Sequence, residues 1–325
     1  MYLKTEIAKD IERADVMIQY DAQCKKVLSN KYILSWIMQA VIEEYENLSR
    51  DFIRRCIENE PEIGTFYVEP KKDIKEENLL KNTKAKIEGL NTEDKDAIEG
   101  EITYDIRFAA FVPRDMGRMK ILVNVEAQKN FYPGYPIVSR GVYYDARMIS
   151  SQNGVEFEVP NYGDIKKVYS IWICVNAPKH VGNALTIYNI QKVDVEGYAP
   201  ELKENYDKMS VAMVYLNQKA PRNKGFFDMM NTLLSPELDV ETKKSILRNE
   251  YQIPMERGFV KEVSLMCNLS EGVYEAGIER GIEKERRNMI ENLLRENMSD
   301  QLIMRVAEIS GEKLKKIKEE LLWMS

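Results

Sequence analysis

The chain has one histidine in 325 residues, His180. A single imidazole excludes histidine-clustered metal centres and catalysis by paired histidines. Cysteine is nearly as scarce. Cys24, Cys56, Cys174 and Cys267 stand far apart with no C-x-x-C pair, which argues against a zinc site or a disulfide framework and for a reducing cytoplasm. No apolar run approaches the roughly 20 residues of a membrane span, so no membrane partner is expected. The charged N-terminus lacks the apolar centre of a signal peptide. An excess of positive charge is also missing: 47 Lys and Arg face 53 Asp and Glu, a net charge of -6. Such a balance does not advertise nucleic-acid binding. Charge nevertheless acts locally, within about 8 Å at physiological salt.

What is present is a globular composition, 44% hydrophobic and 31% charged, long enough for one large domain with an appendage. The organising stretch is EITYDIRFAAFVPRDMGRMKILVNVEAQK, Glu101 to Lys129. It predicts a β-hairpin with one arm over Ile102–Val112 and the other over Met119–Gln128. Pro113, Asp115 and Gly117 supply turn chemistry between them. Strand side chains alternate faces. Val123, Val125 and Ala127 then point one way, and Asn124, Glu126 and Gln128 the other. On the first arm Ile106 and Phe108 lie opposite Asp105 and Arg107. Pairing of the arms on their polar side brings Asp105 and Glu126 together on a sheet whose other face is buried. Two close carboxylates repel unless a cation lies between them, so the pair is a candidate site for a divalent metal, and hard oxygen ligands suit magnesium.

Around the hairpin the pattern is helical first. Ser29 or Asn30 caps a helix through KYILSWIMQAVIEEYENL, and Ser49 caps RDFIRRCIEN, which Pro61 stops. Gly64–Pro70 reads as a short strand, and residues 61–100 form a charged, solvated excursion. After the hairpin, PIVSRGVYYDARMISSQ is a helix opened by Pro136. KKVYSIWICVN has the near-continuous apolar run of a central strand covered on both faces. LTIYNIQKVDV and MSVAMVYL are further strands. The order predicts an α/β fold with a mixed sheet flanked by helices over residues 1–224, followed by an all-helical region over 225–325. There Ser235-Pro236 starts one helix, and Gly272, Gly277 and Gly281 interrupt another. EAGIERGIEKERRNMIENLLREN is a charged arm with sparse apolar residues (Ile278, Ile282, Ile290, Leu293, Leu294) that predicts self-association as a homodimer. The tail holds two short helices of helix-turn-helix size, the first capped by Ser299.

The pattern D-x(n)-E-x-Q on adjacent strands after an N-terminal helix resembles the PD-(D/E)XK nuclease superfamily. With the segments GLNTED, YDIRF, ILVNVEAQKNFYPGYPIVSRGVYYDARMISSQ and YSIWICVN, it resembles the branch of PD-(D/E)XK nuclease family transposases, or recombination-promoting nucleases. The resemblance covers roughly residues 25 to 320. It implies a restriction-endonuclease-like core and a Mg²⁺-dependent deoxyribonuclease of mobile-element type, with Mn²⁺ as a possible substitute and DNA as partner. It puts the metal-binding acids on Asp105 and Glu126, a coordinating backbone carbonyl on Ala127, and the superfamily's lysine position on Gln128. Gln128 is a departure, because an amide orients water but carries no charge. Lys129 faces the other side of a regular strand. Arg140 and Tyr144, four apart on a helix, fall where relatives place a supporting Gln-x3-Tyr pair. Some members add a Glu from the first helix, for which Glu43 and Glu44 are available.

Each signal also has a plainer reading. By spacing alone Asp105 and Glu126 are exposed strand carboxylates, and Asn124 is a strand-end hydrogen bonder. Arg140 and Tyr144 serve equally well as packing partners, and His180 belongs to a surface loop. Lys313, Lys315, Lys316 and Lys318 alternate with Glu312, Glu319 and Glu320, which suits a solvated helix face better than phosphate contact. The competing function is a catalytically weak or inactive nuclease fold that binds DNA or assembles through its tail.

Overall fold

Alternation of side chains along the hairpin builds a sheet with two covered faces. The structure, a computed structural model, describes residues 18–63, 93–96, 100–114, 117–129 and 131–322. Helix α1 (residues 18–28) is followed by α2 (Lys31–Val41), α3 (Arg50–Cys56) and the short strand β1 (Glu62–Ile63). Then come β2 (Glu93–Asp96), β3 (Gly100–Thr103), β4 (Ile106–Arg114), β5 (Gly117–Gln128), α4 (Ile137–Ser150), β6 (Lys167–Cys174), β7 (Ala184–Asn189), α5 (Lys203–Tyr206) and β8 (Met209–Tyr215). The described helices α6 (Phe226–Leu234), α7 (Val240–Asn249), α8 (Arg257–Arg295), α9 (Asp300–Ala307) and α10 (Gly311–Leu322) follow.

Six strands form one mixed sheet in the order β1-β4-β5-β6-β8-β7. The central pairs β5–β6 and β6–β8 are parallel, and β4–β5 and β7–β8 are antiparallel. The fold is thus α/β with a mixed sheet between helices, as expected. On one face Ile106, Phe108, Val123, Val125, Ile171 and Val214 pack against α1, α2, α6, α7 and the start of α8. On the other, Leu122, Val168, Trp172, Val211 and Met213 pack against Tyr144 and Met148 of α4. Every residue of β6 is buried, which explains its largely apolar run.

Helix α4 lies unusually close to the sheet at Gly141. A Cβ there would meet Val211 Cγ1 at 2.6 Å and Trp172 Nε1 at 3.0 Å. That approach fixes the height of the neighbouring Arg140 and Tyr144 above the sheet.

Several expectations are corrected. The first hairpin arm starts at Ile106, because β3, which includes Ile102, pairs with β2 in a separate two-stranded sheet. Pro113 sits inside β4, opposite Arg118, and the turn residues 115–116 lie outside the described residues. Asn30 does cap the helix after it, accepting from the Tyr32 N–H at 2.9 Å. That helix ends at Val41, since Ile42 is extended and Tyr45 hooks its hydroxyl to the Phe111 carbonyl at 2.8 Å. Ser49 caps α3, which stops at Cys56 where Ile57 bridges to Ala110. Asp239, not Ser235, caps α7, by accepting from the Glu241 and Thr242 N–H groups. Helix α8 runs unbroken through Gly272, Gly277 and Gly281, since an interior glycine weakens a helix by only about 1 kcal/mol. The expected strand over Gly64–Pro70 lies outside the described residues.

The chain forms two compact units, one over Ile18–Asn268 and the other including Leu269–Ser325. In the second, Ile290, Ile303, Ala307, Leu314 and Ile317 form their own small core, with Leu293 and Leu294 packed on it. Among the described residues no helix is long and apolar enough to cross a membrane.

Candidate active site

The hairpin register brings the two expected carboxylates together. Ile106 pairs with Val125, so one step further along the strands sets Asp105 opposite Glu126. The Asp105 N–H donates to Glu126 Oε1 at 2.9 Å, and the Ala127 N–H donates to Asp105 Oδ2 at 3.0 Å. Asp105 stands just where the chain enters β4, so its carboxylate folds back onto the β5 backbone rather than standing off one face. In an extended strand the N–H and C=O of one residue point to the same side. The Ala127 carbonyl therefore faces the Asp105 side of β5, while the Gln128 carbonyl turns to β6 and accepts from the Val175 N–H at 3.0 Å.

Neither carboxylate is an exposed strand residue. Glu126 is 4% and Asp105 6% exposed: α4 covers the polar face that carries Glu126, and Lys25 of α1 sits against Asp105. Burial raises the Glu126 carboxyl well above the usual range, and the neighbouring Asp105 charge adds to the rise. Arg140 and the Asn124 side chain act in the opposite sense. Asp105 is also raised, by burial first, with Lys25 opposing.

Arg140 and Tyr144 do meet, as their spacing implies. Arg140 Nη2 donates to the Tyr144 hydroxyl at 2.7 Å, and Nη1 donates to the Tyr135 hydroxyl at 2.6 Å. The guanidinium carbon sits 5.3 Å from the Trp172 ring centroid, and Tyr144 lies between Tyr104, edge-on with centroids 5.3 Å apart, and Trp172, tilted with centroids 5.4 Å apart. This aromatic frame fixes a cation on the Glu126 side of the sheet. Beneath it, Asn124 Nδ2 donates to Ser170 Oγ at 3.4 Å. Gln128 lines a small cavity with Tyr20, Asp21, Ala127 and Lys129. The Lys129 ammonium lies 5.1 Å from the Tyr20 ring centroid, on the α1 side. His180 is exposed in a turn.

Glu43 and Glu44 do not join the pair. Glu44 accepts from the Tyr169 hydroxyl at 2.7 Å and from Lys167 Nζ at 3.3 Å, and Glu43 accepts from Lys203 at 2.9 Å. Lys167 pairs with Ile121, whereas Trp172 pairs with Glu126. Five residues of strand, roughly 16 Å, therefore separate the two groups.

Sequence reasoning missed Lys25. On α1 its Nζ lies 2.8 Å from Asp105 Oδ1 and 2.9 Å from Asp21 Oδ2, with the lysine side chain 2% exposed. Burial alone would lower its pKa, but Asp105 and Asp21 more than offset that, and the net shift is upward. The available signal was Asp21-x3-Lys25, one helical turn apart. The partner Asp105 lies too far along the chain for spacing to reveal.

Among the described residues no group of three or more His, Cys, Asp and Glu side chains is arranged to hold a metal. The protein would instead contribute two carboxylates and the Ala127 carbonyl, with water completing the shell. That all-oxygen set, in which the Asp105 charge raises Glu126, fits a hard divalent cation such as Mg²⁺ or Mn²⁺. No family model, curated protein or solved structure matches the chain.

Proposed function

We propose that this chain is a cytoplasmic, divalent-metal-dependent DNA endonuclease of mobile-element or recombination type, built on a PD-(D/E)XK-like core. The observation that supports it is the junction of Asp105, Glu126 and the Ala127 backbone at the end of an antiparallel hairpin, joined by hydrogen bonds from the Asp105 N–H to Glu126 and from the Ala127 N–H to Asp105. Asp105, Glu126 and the Ala127 carbonyl would hold Mg²⁺ or Mn²⁺. When bound, the ion supplies a polarised phosphate and a water of lowered pKa. The chain's own groups do the rest. The Ala127 N–H orients the Asp105 carboxylate, and the Asp105 N–H orients Glu126. Arg140, braced by Tyr135 and Tyr144, keeps positive charge over the buried pair. Gln128 offers an amide that orients water from the cavity side.

The test is nicking of supercoiled plasmid by purified protein with Mg²⁺, Mn²⁺ or EDTA. Cleavage that needs the cation and disappears in Asp105→Ala supports the proposal. Cleavage that survives chelation, or persists undiminished in Asp105→Ala, refutes it.

A second reading has its own support. Both Asp105 oxygens and Glu126 Oε1 already have partners, one of them an ammonium, and position 128 carries no charge. A nuclease fold that binds DNA or assembles without cutting would show DNA binding unaffected by Glu126→Ala and no cleavage with either cation.

We further propose that the helical arm over 272–297 supports a homodimer, which would set two sites against the two strands of one duplex. Ile290, Leu293 and Leu294 are covered by α9 and α10 within the chain itself, so this role rests on the remainder of the arm.

A further inference from the structure

The strand motif leaves its cationic position to Gln128, yet a buried ammonium stands beside the carboxylate pair. Lys25 Nζ lies 2.8 Å from Asp105 Oδ1 and 2.9 Å from Asp21 Oδ2. It comes from α1, whose Val27 and Leu28 anchor in the main core, so the helix axis is fixed and the lysine has one direction to extend. Asp21, Ala127 and Gln128 line the same small cavity. One carboxylate holding Lys25 and the side chain at the motif's lysine position therefore open on one space. The ammonium thus reaches Asp105 from α1, held by an Asp21 that shares its cavity with Gln128.

We propose that Lys25 is the catalytic cation of this site, supplied from the first helix in place of a lysine at position 128. This rests on the nuclease reading and adds a residue to it. In the reaction a water oxygen bonds to phosphorus and the phosphorus–oxygen bond to the leaving sugar breaks. One water proton ends on the leaving oxygen, and the other on the new phosphate or in bulk water. Lys25 keeps its own protons. Two of its three N–H groups stay on Asp21 and Asp105, which aim the third at the attacking oxygen, while its charge faces the phosphoryl oxygen on which charge builds. A preorganised cation of this kind favours the transition state over the bound substrate, because negative charge grows at the oxygens it faces. Asp21 is 43% exposed, so it holds the ammonium from the solvent side.

The experiment compares wild type, Lys25→Gln, and Lys25→Gln combined with Gln128→Lys for plasmid cleavage, Mn²⁺ binding by calorimetry, and thermal unfolding. Lys25→Gln should lose about 100-fold or more in cleavage rate while keeping its Mn²⁺ affinity. Restoring a lysine at position 128 should recover a large part of the loss, which a merely structural partner of Asp105 would not do. Lys25→Arg serves if Lys25→Gln fails to fold. A structural counterion tolerates arginine, whereas a lysine placed against the attacking oxygen does not. Cleavage within about threefold of wild type in folded Lys25→Gln or Lys25→Arg overturns the assignment. So does loss of Mn²⁺ binding in step with loss of cleavage, and so does absence of recovery in the double variant. A wild type that binds Mn²⁺ but never cuts removes the nuclease reading and Lys25's role with it. A cutting wild type with a cutting Lys25→Gln removes Lys25 alone.

Discussion

Replacing Glu126 with glutamine tests the electrostatics of the site without altering its shape. Glu126 Oε1 accepts the Asp105 N–H at 2.9 Å, and the amide oxygen of glutamine can take over that bond. What the substitution removes is the charge. Burial and the Asp105 charge raise the Glu126 carboxyl well above its ordinary range, so the folded state holds this proton more tightly than the unfolded chain does. For a group of this sign the stability it contributes is complete below the unfolded pKa of about 4.3. It is then lost as pH rises through the raised folded pKa. Without metal, wild type should therefore lose stability between pH 5 and pH 8, and Glu126→Gln should not. A charge left partly uncompensated in the interior costs about 1–3 kcal/mol. At about 2–4 °C per kcal/mol for a domain of this size, that is a gap of several degrees at pH 8. The assay is thermal unfolding in EDTA across pH, repeated with excess Mg²⁺. In wild type the cation should restore the stability lost at pH 8, and in Glu126→Gln it should have little effect. If Glu126→Gln is destabilised by the same amount at pH 5 and pH 8, the carboxylate is comfortably charged in the native site and this reasoning fails.

Three further outcomes follow from particular contacts. Gly141→Ala should destabilise by about 1–3 kcal/mol, because its Cβ would fall 2.6 Å from Val211 Cγ1; urea unfolding with unchanged stability would contradict it. Asp145 is fully buried on α4 and its carboxyl is raised well above the ordinary range by burial, with the Ser210 backbone opposing. Asp145→Asn should therefore gain stability over wild type as pH rises from 5 to 8, measured by chemical denaturation, and a constant difference across pH would count against this. Truncation after Glu271 should leave a folded but monomeric protein by light scattering, and full-length protein that is itself monomeric at micromolar concentration would remove the dimer.

The hairpin, its register and the carboxylate pair were legible because each depends on neighbours close in sequence. Alternation assigns faces to residues 106–112 and 119–128, and a short turn sets which of them meet. The pair Arg140 and Tyr144 was legible for the same reason, one helical turn apart. Burial of the pair was not. Whether Glu126 faces water depends on α4 settling over the polar face, and Gly141 permits that approach through contacts with β6 and β8. Strand β6 was plain from its apolar run, but nothing in that run tells that Lys167 at its start holds Glu44 and Asp207. That contact holds Glu44 away from the pair, as Lys203 holds Glu43. The glycines of α8 misled because local propensity is a weak force beside the continuation of a long helix. Lys25 was hidden most deeply, as a lysine whose helical neighbour Asp21 suggests a surface pair while its reason for burial lies on the hairpin.

The most direct measurement is the rate of cleavage of a labelled DNA duplex as a function of Mg²⁺ concentration, for wild type and Glu126→Gln side by side. Wild type should show no product in EDTA and a saturable rise in rate with Mg²⁺, steeper at pH 8 than at pH 6 because the raised Glu126 carboxyl must lose its proton to bind the cation. Glu126→Gln should stay at background throughout. Cleavage by Glu126→Gln with the wild-type Mg²⁺ dependence, or by either protein in EDTA, would contradict a metal site built on Asp105 and Glu126.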